Sequence, residues 1–279
     1  MSIPDILARW KREATFGTCD TGRYRARYFE WGSGVPILFV HGLTDRAKSF
    51  VPLISHLADS FRCIAYDLPV GVEDGAAMMA YRHADHVTDV ESILDHLRIE
   101  RAIIVGSSLG STITLAALHR YPERLPMGIL QGGFAHRPLH WLESGFAMFG
   151  RYFPGRMQNL PLQKQAQQFI DRSAFESAPT EAWEFFQENS GSSRCRAVAC
   201  RALMLRRLDL RPLLPIIHQP VLMIGGENDR IVPRDLEEVV LRGLPNVRRI
   251  EFPKCGHYPQ YVEPLAMAQA IREFVRNQF

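Results

Sequence analysis

The sequence predicts an α/β protein: a mostly parallel central sheet with helices on both faces, interrupted by an inserted helical segment. Three observations predict it. Short apolar runs alternate with helical patterns from Pro36 to Gln131, as in a parallel sheet joined by right-handed crossovers. From about Ala135 to Gln219 no apolar strand run occurs and only helical patterns remain. The alternation resumes at Pro220 and continues to the end of the chain. The core is therefore read as residues 1–134 and 220–279, and the insertion as residues 135–219. An insertion of roughly 80 residues is far longer than an ordinary αβ connection.

Each element has its own signal. Residues 4–13 read as a short amphipathic helix, and Tyr24 to Trp31 as an edge strand or hairpin closed by Gly32-Ser33-Gly34. Pro36 to Val40 is a continuous apolar run, hence a central strand that delivers His41-Gly42-Leu43 at its end. Ser49 to Leu57 is helical, Arg62 to Tyr66 is the next strand, and a loop rich in Gly and acid follows Asp67. Tyr81 to Leu97 carries Val87, Val90, Ile93, Leu94 and Leu97 on one face of a long helix. Ala102 to Val105 is a buried strand, Ser111 to Leu118 a helix, and Met127 to Gln131 another strand. The insertion reads as helices at 141–149, 162–175, 180–186 and 195–207. After it come a strand (220–224), a helix (234–244), a strand (247–252) and a last helix (264–279).

Composition bounds the function. The 279 residues are 46% hydrophobic and 23% charged, with a formal charge of +3. That charge is too small and too scattered to suggest nucleic acid. No apolar run approaches the 18 residues of a membrane span, and the first residues hold no apolar core of signal-peptide length. Five cysteines without zinc-like spacing suggest reduced thiols in a cytoplasmic protein. No metal or organic cofactor is implied, the partner is a small molecule, and the oligomeric state is left open.

Gly106-Ser107-Ser108-Leu109-Gly110 fits G-x-S-x-G between a strand and a helix. Such a turn lifts a serine Oγ above the sheet, and glycines two residues away on each side avoid a clash. In open α/β sheets chemistry collects at the carboxyl ends of the strands. Those ends deliver His41-Gly42-Leu43, Ser108, Gly225 to Asp229, and Lys254 to His257. A serine nucleophile needs a base, and the base an orienting carboxylate, in the chain order Ser, acid, His. Of ten histidines only His257 follows Asp229. Glu227 is the competing acid and Ser107 the competing nucleophile.

The chain resembles the α/β-hydrolase fold superfamily, specifically its serine hydrolases with a helical cap. The resemblance runs from about Tyr24 to Val275. It rests on Val40-His41-Gly42, Tyr66-Asp67-Leu68-Pro69, the elbow at Val105 to Gly110, Tyr121-Pro122-Glu123, Gly226 to Pro233, and Cys255 to Pro259. It implies Ser108 as nucleophile, His257 as base and Asp229 as orienting acid. It also implies an oxyanion hole built from the backbone N–H groups of Leu43 and Leu109. Asp229 is preferred over Glu227 because it directly precedes Arg230-Ile231-Val232-Pro233. The strand before the insertion ends Gln131-Gly132-Gly133, so the acid that some relatives carry there is absent. Relatives that open epoxides or displace halide use an aspartate nucleophile, which Ser108 argues against. The stretch after Asp67 departs from the family's usual D-x-x-G-x-G-x-S, which puts the contacts of that loop in doubt.

Two expectations concern substrate. His41, Trp141, Phe146 and Phe149 are candidate pocket residues, although His41 also fits a structural role shaping the oxyanion loop and the aromatic run also fits the insertion's own core. The arginines from Arg194 to Arg211 read as a solvated helix face, with an acid-binding role for Arg201 or Arg207 as the alternative. The expected activity is cleavage of a small, largely apolar carboxylic ester through an acyl-enzyme. Alternatives are a carbon–carbon hydrolase of diketo acids, a thioesterase or lactonase, and a slow-turnover ligand receptor.

Overall fold

The computed structural model describes residues 1–278, apart from the side chains at positions 164 and 166. The expected end of the last helix at Phe279 lies outside the described residues. Eight strands form one sheet: β1 (Thr15–Asp20), β2 (Arg25–Trp31), β3 (Val35–Val40), β4 (Phe61–Tyr66), β5 (Ile103–Ser107), β6 (Gly128–Gln131), β7 (Val221–Gly226) and β8 (Val247–Phe252). Their spatial order is β1-β2-β4-β3-β5-β6-β7-β8. The pairs β1–β2 and β2–β4 are antiparallel, and all others are parallel.

The strand residues divide between two cores with period two, as a pleated sheet requires. Leu38 and Val40 of β3 and Val221 and Met223 of β7 face one side. Ile37, Phe39, Leu222 and Ile224 face the other. Helices α1 (Ile3–Glu13), α2 (Val51–Leu57), α3 (His83–His96) and α4 (Leu109–Arg120) belong to the first half of the core. Both faces are covered. Val90 and Ile93 of α3 and Ile113 of α4 pack with the Leu38 side, and Ile6 of α1 and Leu53 of α2 with the Ile37 side.

Between β6 and β7 stand α5 (Trp141–Gly150), α6 (Gln163–Ile170), α7 (Thr180–Ser192) and α8 (Cys195–Leu205), with no strand among the described residues there. Helices α9 (Arg234–Gly243), α10 (Pro259–Val262) and α11 (Pro264–Arg276) complete the chain. Two local readings need correction. Of the two readings of Tyr24–Trp31 the hairpin holds and the edge strand does not: the segment is the hairpin's inner strand, and β1 is the edge. Only Cys19 of β1 is buried, so β1 has no apolar alternation to read. The helix expected over 162–175 is two pieces, α6 and a 3-10 turn at Arg172–Phe175, separated at Asp171.

Candidate active site

Strand β5 ends at Ser107, and α4 starts at Leu109. Ser108 between them sits at φ 53°, ψ −114°. A non-glycine residue in that region costs on the order of 1–3 kcal/mol and persists only where its surroundings impose it. The surroundings are two glycines. A Cβ on Gly110 would run into the carbonyl oxygen of Val40, and one on Gly106 into the carbonyl oxygen of Gly110. Strands β3 and β5 can therefore pack against the first turn of α4 only with glycine at both positions. The Ser108 N–H donates to the Gln131 carbonyl over 2.8 Å. Ser107 is buried, and its hydroxyl donates to the Gln131 side-chain oxygen. That bond turns it away from the role of competing nucleophile.

Nδ1 of His257 lies 2.6 Å from Oδ2 of Asp229. The other carboxylate oxygen accepts the N–H groups of Ile231 (2.9 Å) and Val232 (2.8 Å), which fixes the acid. Glu227, the competing acid, instead accepts the Lys254 N–H over 3.0 Å and is exposed. Nε2 of His257 is buried and has no hydrogen-bond partner among the described residues. Burial alone would lower the affinity of His257 for a proton, but the Asp229 charge and hydrogen bond outweigh it and raise the imidazole above its ordinary value. Gly132, at φ 55°, lies against the His257 ring where a Cβ would clash with Cε1.

Leu43 follows β3, and Leu109 is the first residue of α4, where backbone N–H groups have no partner within the helix. Gly42 brings this loop close to Ser108: a Cβ there would stand 3.4 Å from Cβ of Ser108. His41 is not in the pocket, which corrects that expectation. It is buried, with Nδ1 2.8 Å from the Gly42 carbonyl and Nε2 accepting the Leu68 N–H over 2.9 Å. Burial, together with the nearby Arg201 charge, pushes its value down to about 3, so it stays neutral.

A cavity of about 520 Å³ opens over these groups, lined by Leu43, Ser108 and His257 from the core and by Met157, Ile170 and Leu205 from the insertion. Trp141, Phe146 and Phe149 do not line it. They are 72%, 77% and 83% exposed, and only Ala147 of α5 is buried. Apolar residues surround α5 on every side, so composition carries no signal of which face turns inward. From this region Leu139 and Glu143 reach the cavity instead.

Several wall residues went unrecognised in the sequence. Asp45 accepts the Tyr261 hydroxyl (2.9 Å), and burial pushes its carboxyl up to about 6. Asp171 accepts the Tyr258 hydroxyl (2.8 Å) and is likewise raised by burial. Isolated acids in loops give no periodic signal. Arg201 corrects the reading of a solvated arginine face. It is 1% exposed and bonds backbone carbonyls. Among the described residues no three His, Cys, Asp or Glu side chains converge in a way that would hold a metal ion. No helix among them is long and apolar enough to cross a membrane.

The sequence profile of a family described as alpha/beta hydrolase fold matches residues 35–264. The chain is 26% identical over 268 residues to 2-hydroxy-6-oxo-6-phenylhexa-2,4-dienoate hydrolase of Comamonas testosteroni, covering 93% of this chain and 94% of that one. It is 28% identical over 270 residues to 2-(acetamidomethylene)succinate hydrolase of Mesorhizobium japonicum, covering 92% and 93%. Among solved structures it is similar in fold to a thermophilic esterase from Thermogutta terrifontis. The TM-score there is 0.82 at 24% identity, covering 94% of this chain and 98% of that one.

Proposed function

The chain belongs to the alpha/beta hydrolase fold family, and on that premise we propose that it is a serine hydrolase cleaving carboxylic esters of small, largely apolar substrates. The observation that carries this reading is the buried His257. Asp229 holds its Nδ1, while Nε2 is unpartnered in the cavity that Ser108 lines. Ser108 Oγ attacks the ester carbonyl as Nε2 takes its proton, and Asp229 stabilises the resulting imidazolium. The tetrahedral oxygen accepts the N–H groups of Leu43 and Leu109, each donor lowering the barrier by about 3–4 kcal/mol. Collapse expels the alcohol, which takes its proton from His257. Water activated by the same imidazole then attacks the acyl-serine, and a second collapse frees the acid and restores Ser108.

Helices α5 to α8 act in this proposal as a cap, and the apolar side chains of Met157, Ile170 and Leu205 receive the acyl group. Five unpaired, buried cysteines fit a reducing compartment such as the cytoplasm.

A second reading is cleavage of a carbon–carbon bond in a diketo acid, favoured by the likeness to the Comamonas testosteroni hydrolase. Against it stand Asp45 and Asp171 on the cavity wall, where they repel an anionic substrate. Thioester or lactone cleavage would use the same groups. A slow-turnover receptor would give one stoichiometric burst and stall.

The test is turnover of p-nitrophenyl esters from acetate to decanoate by wild type and Ser108→Ala. Steady turnover that falls by several orders of magnitude in the variant supports the reading, as removal of a triad nucleophile does elsewhere. Equal, slow rates from both proteins overturn it.

A further inference from the structure

The backbone that carries the Leu43 N–H is held at three successive carbonyls. The Gly42 carbonyl is bonded by Nδ1 of His41 over 2.8 Å. The Leu43 carbonyl accepts Nη1 of Arg201 over 3.0 Å. The Thr44 carbonyl accepts the Ser193 hydroxyl over 2.6 Å. Two of these three holds come from the insertion: Ser193 from the residue after α7, and Arg201 from α8.

The geometry of the peptide bond gives these contacts meaning. The Gly42 carbonyl and the Leu43 N–H belong to one planar trans unit and point in opposite directions. Fixing that carbonyl fixes the direction of the N–H. The next unit carries the Leu43 carbonyl, so Arg201 fixes the plane on the other side of the same Cα. With a hydrogen bond on each plane, both soft dihedrals of Leu43 are restrained.

Arg201 is otherwise hard to account for. It is 1% exposed and forms no ion pair among the described residues. Burial lowers its guanidinium to about 10, so it is still charged at neutral pH. A buried charge without a counter-ion is costly, and an apolar side chain of similar volume would pack at lower cost. Nη1 and Nη2 of the guanidinium are instead directed at three carbonyls, Leu43, and Leu68 (3.1 Å) and Pro69 (2.8 Å) in the loop after β4, while its buried Nε has no partner among the described residues. Leu68 is also the residue whose N–H bonds His41. One side chain from α8 therefore braces the loop after β3 and the loop that holds His41.

We infer that Arg201 is a positioning residue for the oxyanion hole: through the Leu43 carbonyl it keeps the Leu43 N–H aimed at the oxygen that becomes negative in the transition state. This rests on the ester-hydrolase reading of Ser108. It gives the insertion a part in catalysis beyond covering the substrate.

The experiment compares wild type, Arg201→Met and Arg201→Lys on p-nitrophenyl butyrate, with rates normalised to active sites titrated by a fluorophosphonate. Each protein is also inhibited with an alkyl trifluoromethyl ketone, which adds to the serine and leaves an oxyanion, and with the matching methyl ketone, which does not. In Arg201→Met, kcat falls about 10- to 100-fold, the scale expected of a misplaced rather than a deleted donor. KM stays within about twofold, as expected when only a transition-state contact is lost. The trifluoromethyl ketone weakens by the same factor as kcat, the methyl ketone is unchanged, and Arg201→Lys recovers part of the loss.

An active wild type matched by Arg201→Met overturns the inference alone. A fall in kcat with unchanged trifluoromethyl ketone binding, or equal weakening of both ketones, assigns Arg201 to general packing and also overturns it. Failure of both variants to fold does the same. A wild type that turns over no ester and takes no fluorophosphonate overturns the serine-hydrolase reading, and this inference with it.

Discussion

The side-chain nitrogen of Gln131 donates to the backbone carbonyl of His257 over 2.6 Å. The same carboxamide accepts the Ser107 hydroxyl, and the Gln131 backbone carbonyl accepts the Ser108 N–H. One fully buried residue at the end of β6 thus ties the turn that carries Ser108 to the loop that carries His257. Gln131→Met keeps the volume and removes both side-chain bonds, leaving the Ser107 O–H without its acceptor and the His257 carbonyl without its donor. We expect a loss of about 1–3 kcal/mol in urea unfolding, the cost of leaving buried polar groups unpaired. We also expect a fall in kcat with little change in KM. An unchanged unfolding midpoint would show that the two bonds contribute nothing.

The chemistry-bearing turn was legible because sterics dictates its letters: only glycine fits at Gly106 and Gly110. The central strands were legible because burial on both faces demands unbroken apolar runs. Asp229 and His257, which the structure brings within 2.6 Å of each other, could be singled out because chain order and strand ends leave few candidates. What was not legible depends on direction. The residues of α5 are apolar on every side, and only packing decides that Phe146 and Phe149 face solvent. Arg201 looks like its exposed neighbour Arg207 in sequence, yet one is buried among carbonyls and the other is not. Gln131, Asp45 and Asp171 act through contacts with residues far along the chain, and no local pattern announces them.

The pH dependence follows from His257. In the proposed mechanism it must be neutral to accept the serine proton, so kcat/KM is expected to rise with pH as the imidazole deprotonates. Burial works against the charged form, but Asp229 prevails, with Asp45 and Asp171 adding to it. The rising limb is therefore centred above the ordinary imidazole value of about 6.5. Asp229→Asn removes the charge and the acceptor for Nδ1. We expect the limb to move to lower pH and kcat to fall about 10⁴-fold, as when the orienting acid is lost from such a triad. A pH–rate series on both proteins checks this, and an unmoved limb would exclude Asp229 as the controlling group.

The exposed face of α5 and the cavity wall should respond oppositely to substitution. Phe146→Ala and Phe149→Ala remove side chains that project into solvent. Stability should change by no more than about 0.5 kcal/mol, as for surface positions in general, and the ester chain-length optimum should not move. Met157 lines the cavity. Met157→Trp fills part of its 520 Å³ and should shift the optimum toward shorter acyl chains. The same p-nitrophenyl ester series reads all three variants, and an optimum moved by Phe149→Ala would return that residue to the pocket.

Charge on the cavity wall sets a last expectation. Asp45 and Asp171 line the cavity, and neither forms an ion pair among the described residues. Of the cations on the wall, Arg137 is engaged by Glu143 over 2.9 Å, and Arg230 is exposed. An ester carrying a free carboxylate should therefore react more slowly than a neutral ester of equal length. Asp45, pushed up to about 6 by burial, is charged above that pH and neutral below it. The discrimination should thus shrink as pH falls through about 6. Comparing monosuccinate and butyrate esters at each pH as a ratio of kcat/KM cancels the common effect of His257. Asp171→Asn should raise the ratio for the anionic ester by about tenfold, the scale of one nearby charge at intermediate dielectric. A ratio that favours the anionic ester in the wild type would instead make Arg230 the substrate's anchor and turn the chemistry toward diketo acids.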